Sequence, residues 1–313
     1  MPMNDPIIEV QNLNRLAFAV KNGDRMLDFY QGLLGLPMAF ETYKGEKGWT
    51  RVLRTAECQY LEFSYDPDHP RKDAPDRWNH YGYTKFNFAV DNIIALRDYL
   101  LGQGVELDQE LHATLDGASE IAMRDPDGNT VQFTVYSPDP VKELKDDINR
   151  QARKAQPQAF RLLGLTQAAV NTQHEQAMRD FYTRMLGLTQ AGRLTAGLLA
   201  SAMEEALKDD PQRLQNLKEA GDRPWIDYLD ACDHQFVELF YDLGGQKEAA
   251  LPLSEFYGFQ WMSFGVEDVS AAREAFLSSK DAEAGPMIRT VDGLDGFWVK
   301  DPDGNKVLIS NLD

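Results

Sequence analysis

The chain has 313 residues and carries 32 basic against 50 acidic side chains, a formal charge of −18. A surface this acidic repels phosphate backbones and anionic lipid, so neither nucleic acid nor a membrane is expected as a partner. Length suits two domains, each able to bury a core of its own. The two cysteines, Cys58 and Cys232, show no CxxC or Cys/His spacing, which leaves no disulfide framework and no structural zinc site to expect. Met1 to Val10 lacks an apolar signal-like run and no later stretch approaches a membrane span, so the expected location is cytoplasmic.

In chain order, Arg15 to Val20 alternates as a strand does. Asp24 to Leu34 then sets Met26, Leu27, Tyr30, Leu33 and Leu34 on one helical stripe that stops at Gly35. Extended segments follow near Glu41–Thr42, Thr50–Thr55 and Gln59–Tyr65. A second pass begins with a strand at Thr84–Val90 and a helix over Asn92–Gln103. It closes with strands around Leu111, Glu120–Arg124 and Thr130–Tyr136, giving a βαβββ pattern twice. Pro138 to Pro157 is polar, mixed in charge and bracketed by prolines, as a linker with a central helix would be.

The whole pattern then recurs. MLDFYQGLLGL at Met26–Leu36 matches MRDFYTRMLGL at Met178–Leu188 at an offset of 152. QYLEFSYD at Gln59 matches QFVELFYD at Gln235, and DPDGN at Asp125 matches DPDGN at Asp301, both at an offset of 176. The second copy has therefore gained 24 residues, and Ala200–Ala220 reads as a charged amphipathic helix ending at Gly221 that accounts for them. Expected domains are 1–137 and 160–313, with a linker at 138–159 and the helical insertion at about 198–221. In DPDGN the proline presets φ and the glycine closes a turn between antiparallel strands.

FY followed five residues later by Gly, a second αβ unit and a terminal DPDGN, all present twice, resemble the vicinal oxygen chelate superfamily. Its members are of glyoxalase, bleomycin-resistance and extradiol dioxygenase type. The resemblance implies an α+β fold of tandem glyoxalase-like domains, each of two βαβββ modules forming an incomplete barrel with helices outside and a cavity inside. Metal-using members hold the ion from inward positions on strands one, four, five and eight of a domain. Here those positions are Arg15, Glu62, Lys85 and Gln132 in the first copy, and Leu165, Glu238, Trp261 and Leu308 in the second. Guanidinium has no lone pair to give, and lysine has one only when deprotonated. No metal and no other cofactor is therefore expected, with Arg15 and Lys85 taking the metal's place electrostatically.

Alternation assigns Tyr60, Asn87 and Thr134 to the same inner face in the first copy, and Gln167, Phe236, Phe240 and Ser263 in the second. The first set reads either as a buried ion network or as a site with surplus positive charge. In the second reading Arg15 clamps an anion, and Lys85 and Glu62 serve catalysis. The second set reads either as a packed barrel or as an apolar pocket in which Glu238 and Gln167 orient a flat ligand against Trp261 and the phenylalanines, with Glu238 also a candidate catalytic acid or base. His80 and His112 are weaker candidates at the cavity mouth. The leading expectation is a monomer or homodimer that binds a small organic, anionic or aromatic molecule, with or without chemistry on it. The alternatives are a metal-dependent glyoxalase-type lyase or ring-cleaving dioxygenase, and a sequestration protein of the bleomycin-resistance kind.

Overall fold

In the computed structural model the described residues are 6–115, 117–136, 160–204, 207–232, 234–243, 252–279 and 283–312. The expected linker at 138–159 lies outside them. Four βαβββ modules follow one another along the chain. The first comprises β1 (Asn12–Val20), α1 (Gly23–Leu27), β2 (Met38–Lys44), β3 (Gly48–Ala56) and β4 (Gln59–Tyr65). The second comprises β5 (Gly82–Val90), α2 (Ile93–Gly102), β6 (Gln109–Ala113), β7 (Ser119–Arg124) and β8 (Thr130–Val135). The third comprises β9 (Leu162–Thr172), α3 (Glu175–Asp180), β10 (Thr189–Thr195), α4 (Ala196–Ala202), α5 (Pro211–Ala220), β11 (Pro224–Cys232) and β12 (Gln235–Tyr241). The fourth comprises β13 (Gly258–Val266), α6 (Val269–Ser278), β14 (Met287–Arg289), β15 (Asp295–Lys300) and β16 (Lys306–Asn311).

The repeated FYxxxLG run has a backbone reason. In both copies the helix widens into a π-type turn, over Asp28–Leu33 and Phe181–Met185, so that Leu34 donates its N–H to the Phe29 carbonyl and Leu186 to that of Phe181. The chain then reverses through Gly35 and Gly187, at φ of 71° and 79°, where a side chain would be strained. The tyrosine of the same run reaches the other repeated motif. Tyr30 donates its hydroxyl to Asp125 at 2.9 Å, and Tyr182 does so to Asp301 at 3.3 Å. Each of these aspartates also accepts from the backbone N–H and side-chain amide of the asparagine that ends its own DPDGN turn. FYxxxLG and DPDGN are thus the two ends of one buried tie between consecutive modules.

Sheet pairing runs across the halves. One eight-stranded sheet has the order β14-β15-β16-β13-β1-β4-β3-β2, the other β10-β11-β12-β9-β5-β8-β7-β6. The first module therefore shares a sheet with the fourth through the antiparallel β1–β13 seam, and the second with the third through β5–β9. The two sheets share one apolar core. The Phe18 ring lies tilted at 5.0–5.6 Å from those of Phe63, Phe86 and Phe259, Phe86 meets Phe259 edge-on at 6.4 Å, and Tyr83 lies flat on Phe259 at 4.4 Å. Each such buried ring stabilises the fold by about 1.5–3 kcal/mol.

The expected single helix over Ala200–Ala220 is instead two, α4 and α5. Asp210 caps the second by accepting from the Arg213 N–H, and Pro211 takes the first helical position, where its missing N–H costs nothing but ends any helix arriving from upstream. Gly221, at φ 54°, closes it.

Candidate functional site

Pairing across the halves redistributes the expected site residues. Arg15 and Glu62 lie on the face shared by the first and fourth modules, whereas Lys85 and Gln132 lie on the face shared by the second and third. The four were expected to stand together in the first domain; the sheet order separates them, because β1 and β5 are the central strands of different sheets.

On the face of the second and third modules, the Lys85 ammonium lies 2.5 Å from Gln132 Oε1 and 2.8 Å from Glu238 Oε2, with side chains only 5 % and 3 % exposed for the ion pair. It sits 5.6 Å from the centre of the Phe240 ring. Beside it Asn87 donates its amide to Glu120, Thr134 and Gln167, and Gln167 passes the chain on to the Tyr136 hydroxyl at 2.8 Å. Above Ala169 the space is filled by Phe240 and Ile226 with Trp78, Trp225 and Tyr228 packed against them. Phe236 is buried against Tyr136 and Tyr228. This face is buried and linked by hydrogen bonds and the Lys85–Glu238 ion pair, although among the described residues Asn87 Oδ1 accepts no hydrogen bond. Leu165 does not join it: the side chain turns into the shared core, and Gln167, opposite Phe236 and Asn87, occupies the strand-one position instead.

The face of the first and fourth modules is built differently. Arg15 is almost fully buried and pairs with Glu62 at 2.9 Å and with Asp292. Burial works to lower the Arg15 pKa, but the two carboxylates raise it above its ordinary value. Glu62 is shifted upward, chiefly by burial and against the pull of Arg15. Asp292 goes the other way: burial would raise it, yet the charge of Arg15 and the hydrogen bond to it hold the carboxyl below the usual range. Register places Tyr60 beside Arg15 and Arg54 beside Tyr60, while Ala17 supplies only a methyl group between Glu62 and Trp261. Arg15 and Arg54 lie 5.5 and 5.9 Å from the Tyr60 ring centre. Across the sheet Trp261 meets Trp298 edge-on at 5.1 Å, and Lys306 lies 6.0 Å from Trp298. Both tryptophans are half-buried, and Glu62 and Asp292 keep 12 % and 14 % of their side-chain surface in solvent. Ser263 is buried behind them near Ser310.

Charge is corrected along with position. The surplus expected from Arg15 and Lys85 over Glu62 does not exist as one cluster, since Lys85 is balanced by Glu238 and Arg15 is bracketed by two carboxylates. Positive charge on the open face comes instead from Arg54 and Lys306, neither of which has a carboxylate within ion-pair distance among the described residues. Alternation along β3 and β15 carried enough signal to find Arg54 and Trp298. Asp292, in the turn between β14 and β15, had none, because only tertiary folding brings that turn to Arg15. Of the histidines, His112 is exposed on the edge strand β6, and His80 is buried with its carbonyl accepting from Asn171 at 2.9 Å.

A metal ion does not fit either donor set. At one face the place between Gln132 and Glu238 holds an ammonium; at the other both carboxylates, Glu62 and Asp292, are engaged by the Arg15 guanidinium. Among the described residues no group of three or more His, Cys, Asp or Glu side chains is arranged to hold an ion. No described helix is long and apolar enough to cross a membrane.

Both module pairs and the repeated motifs define a tandem βαβββ protein of the vicinal oxygen chelate kind. The family model for the Glyoxalase/Bleomycin resistance protein/Dioxygenase superfamily matches residues 12–133 and 164–309, and the chain belongs to that superfamily. Among solved structures it is similar to a putative dioxygenase from Bacillus subtilis, at TM-score 0.69 and 12 % identity over 97 % of this chain and 86 % of that one. It is also similar to glyoxalase I from Zea mays, at TM-score 0.62 and 16 % identity over 96 % and 92 %. At these identities the likeness is one of fold.

Proposed function

We propose that the chain binds a small, flat organic molecule on the face of its first and fourth modules, without a tightly held metal. The observation that carries this reading is the contrast between the two faces. One fills its own concavity with Phe240, Ile226 and Trp78; the other leaves Trp261, Trp298, Glu62 and Asp292 partly in solvent above a fixed arginine. An aromatic ring fits against the tryptophans and Tyr60, and Arg54 and Lys306 favour one negative group on it. Glu62, held above the usual carboxylate range by burial and oriented by Arg15, is the group placed to exchange a proton with the ligand.

A thermal-shift series with benzoate, salicylate and catechol tests the binding. A probe at about a hundred times its Kd adds roughly 2.7 kcal/mol of stability. At least one should raise Tm, and Trp261→Ala should abolish the shift. Calorimetry of that probe in buffers of different ionisation enthalpy then reads the proton: wild type should show linked proton exchange and Glu62→Gln none. Equal proton linkage in both would remove Glu62 from the reading.

A further inference from the structure

The turn at 290–294, between β14 and β15, meets the open face in an unusual way. Strand order puts β15 three places from β1, about 14 Å on a flat sheet, yet Asp292 in this turn reaches the Arg15 guanidinium on β1. The sheet curls, and the turn crosses its inner face to do so. Inside the turn the bonding is self-contained. Thr290 donates its N–H and hydroxyl to the Leu294 carbonyl, Leu294 returns its N–H to the Thr290 hydroxyl, and Gly293 donates to the Thr290 carbonyl. All five residues are half-buried and none belongs to the apolar core. Among the described residues the ion pair of Asp292 with Arg15 is the one hydrogen-bonded link from 290–294 to another element.

The other side of Arg15 is held differently. Glu62 stands on β4, which pairs directly with β1, and takes Nη1 at 2.9 Å. Arg15 is only 2 % exposed, so an incoming anion reaches it when one of its two carboxylates leaves. Glu62 is fixed by the sheet; Asp292 hangs from the turn. Strand β1 also runs between β4, which carries Tyr60, and β13, which carries Trp261, so a ring lying against those two brings its substituent over Arg15.

We propose that Asp292 occupies the seat of the ligand's own acid group: an aromatic monocarboxylate takes Nη2 of Arg15, and the turn moves off the face with Asp292 passing into water. This rests on the reading that the open face binds a flat aromatic molecule, and it adds where the negative group docks. The exchange leaves Arg15 between two carboxylates, so the buried charge is balanced before and after, and one planar carboxylate replaces another on the guanidinium edge. A neutral ring has no charge to give Arg15, so Asp292 stays and the ring is confined to the aromatic surface.

Calorimetric titration of the full chain with benzoate and with benzamide tests this. Asp292→Asn keeps the size of the side chain and leaves Arg15 paired with Glu62, which removes the competitor without stranding the cation. Benzoate should bind the variant at least tenfold more tightly than wild type, as expected where the receptive form is a tenth or less of the population, and benzamide should be unchanged. The gain should survive raised ionic strength, because a contact at buried Arg15 is little screened, whereas a charge acting through solvent fades with salt. Asp292→Ala should show the same gain should the first variant fold poorly. Equal benzoate affinity in wild type and variants, a gain shared by benzamide, or one that disappears with salt overturns the proposal and leaves the aromatic face as the ligand site. Benzoate binding to none of the three proteins also overturns it; the thermal-shift series with Trp261→Ala then decides the face separately.

Discussion

Among the described residues Glu238 is the one carboxylate paired with the Lys85 ammonium, and both are nearly fully buried. Removing one member of such a pair strands the other charge in a poorly solvated interior, which typically costs about 3–5 kcal/mol. Glu238→Ala should lower the unfolding free energy by that order in urea titrations, whereas the double replacement Lys85→Met with Glu238→Leu should recover most of the loss. A single variant as stable as wild type would show the pair to be solvated. The DPDGN aspartates give a pH prediction. Burial, against the hydrogen bonds from Asn129 and Asn305, pushes Asp125 up to about 6 and Asp301 up to about 7. Native protein therefore holds these protons at pH values where the unfolded chain has released them. Stability from this source is full below about 4, the unfolded carboxyl range, and is lost as pH rises through 6 to 7. The stability difference between wild type and Asp301→Asn should drift in favour of the variant from pH 4 to pH 7; a pH-independent difference would contradict the shift.

Elements were legible where local chemistry repeats. The FYxxxLG and DPDGN runs marked real structures because each needs its own residues: a glycine at positive φ, a buried aspartate, an asparagine that hydrogen-bonds back to it. The inserted region was less legible, since amphipathic periodicity continued across Pro211 and hid a helix start behind a capping aspartate. Its two helices and Leu207 between them bury Ala196, Leu199, Ala200 and Leu217 in a satellite cluster, against which Trp225 of β11 and Leu243 also pack. Trp225 also packs on Phe240 of the closed face, 5.8 Å between ring centres. Deleting 196–221 with a short glycine-serine bridge should leave the sheets folded while exposing Trp225, seen as a red-shifted emission and increased binding of an apolar dye. Complete loss of native far-ultraviolet dichroism would mean that the insertion is part of the main core.

At the scale of the whole molecule, the fold class was readable and the partnering of modules was not. The strands β1, β5, β9 and β13 present similar alternating edges, so period and polarity are satisfied equally by pairing within a half or across halves. The choice is made by tertiary contacts: Gln59 bonds both the N–H and the carbonyl of Leu165, and Gln235 accepts from the Leu13 N–H. That choice decided which candidate residues meet, which is why Arg15 and Lys85 stood in one cluster on paper and in two faces in the structure. A half chain of residues 1–137 would lack the β13 and β9 partners of its two central seams. Expressed alone, each half should be unfolded or self-associated, and mixing 1–137 with 138–313 should restore a one-to-one complex by size-exclusion chromatography with light scattering. Stable monomeric halves would contradict pairing across the seams.

The assignment of function to one face is tested most directly by titrating whichever aromatic probe shifts Tm into two variants, Trp261→Ala on the open face and Lys85→Met on the closed one. Binding lost in the first and retained in the second is the predicted result. Binding lost in Lys85→Met and retained in Trp261→Ala would place the ligand on the opposite face and contradict the account.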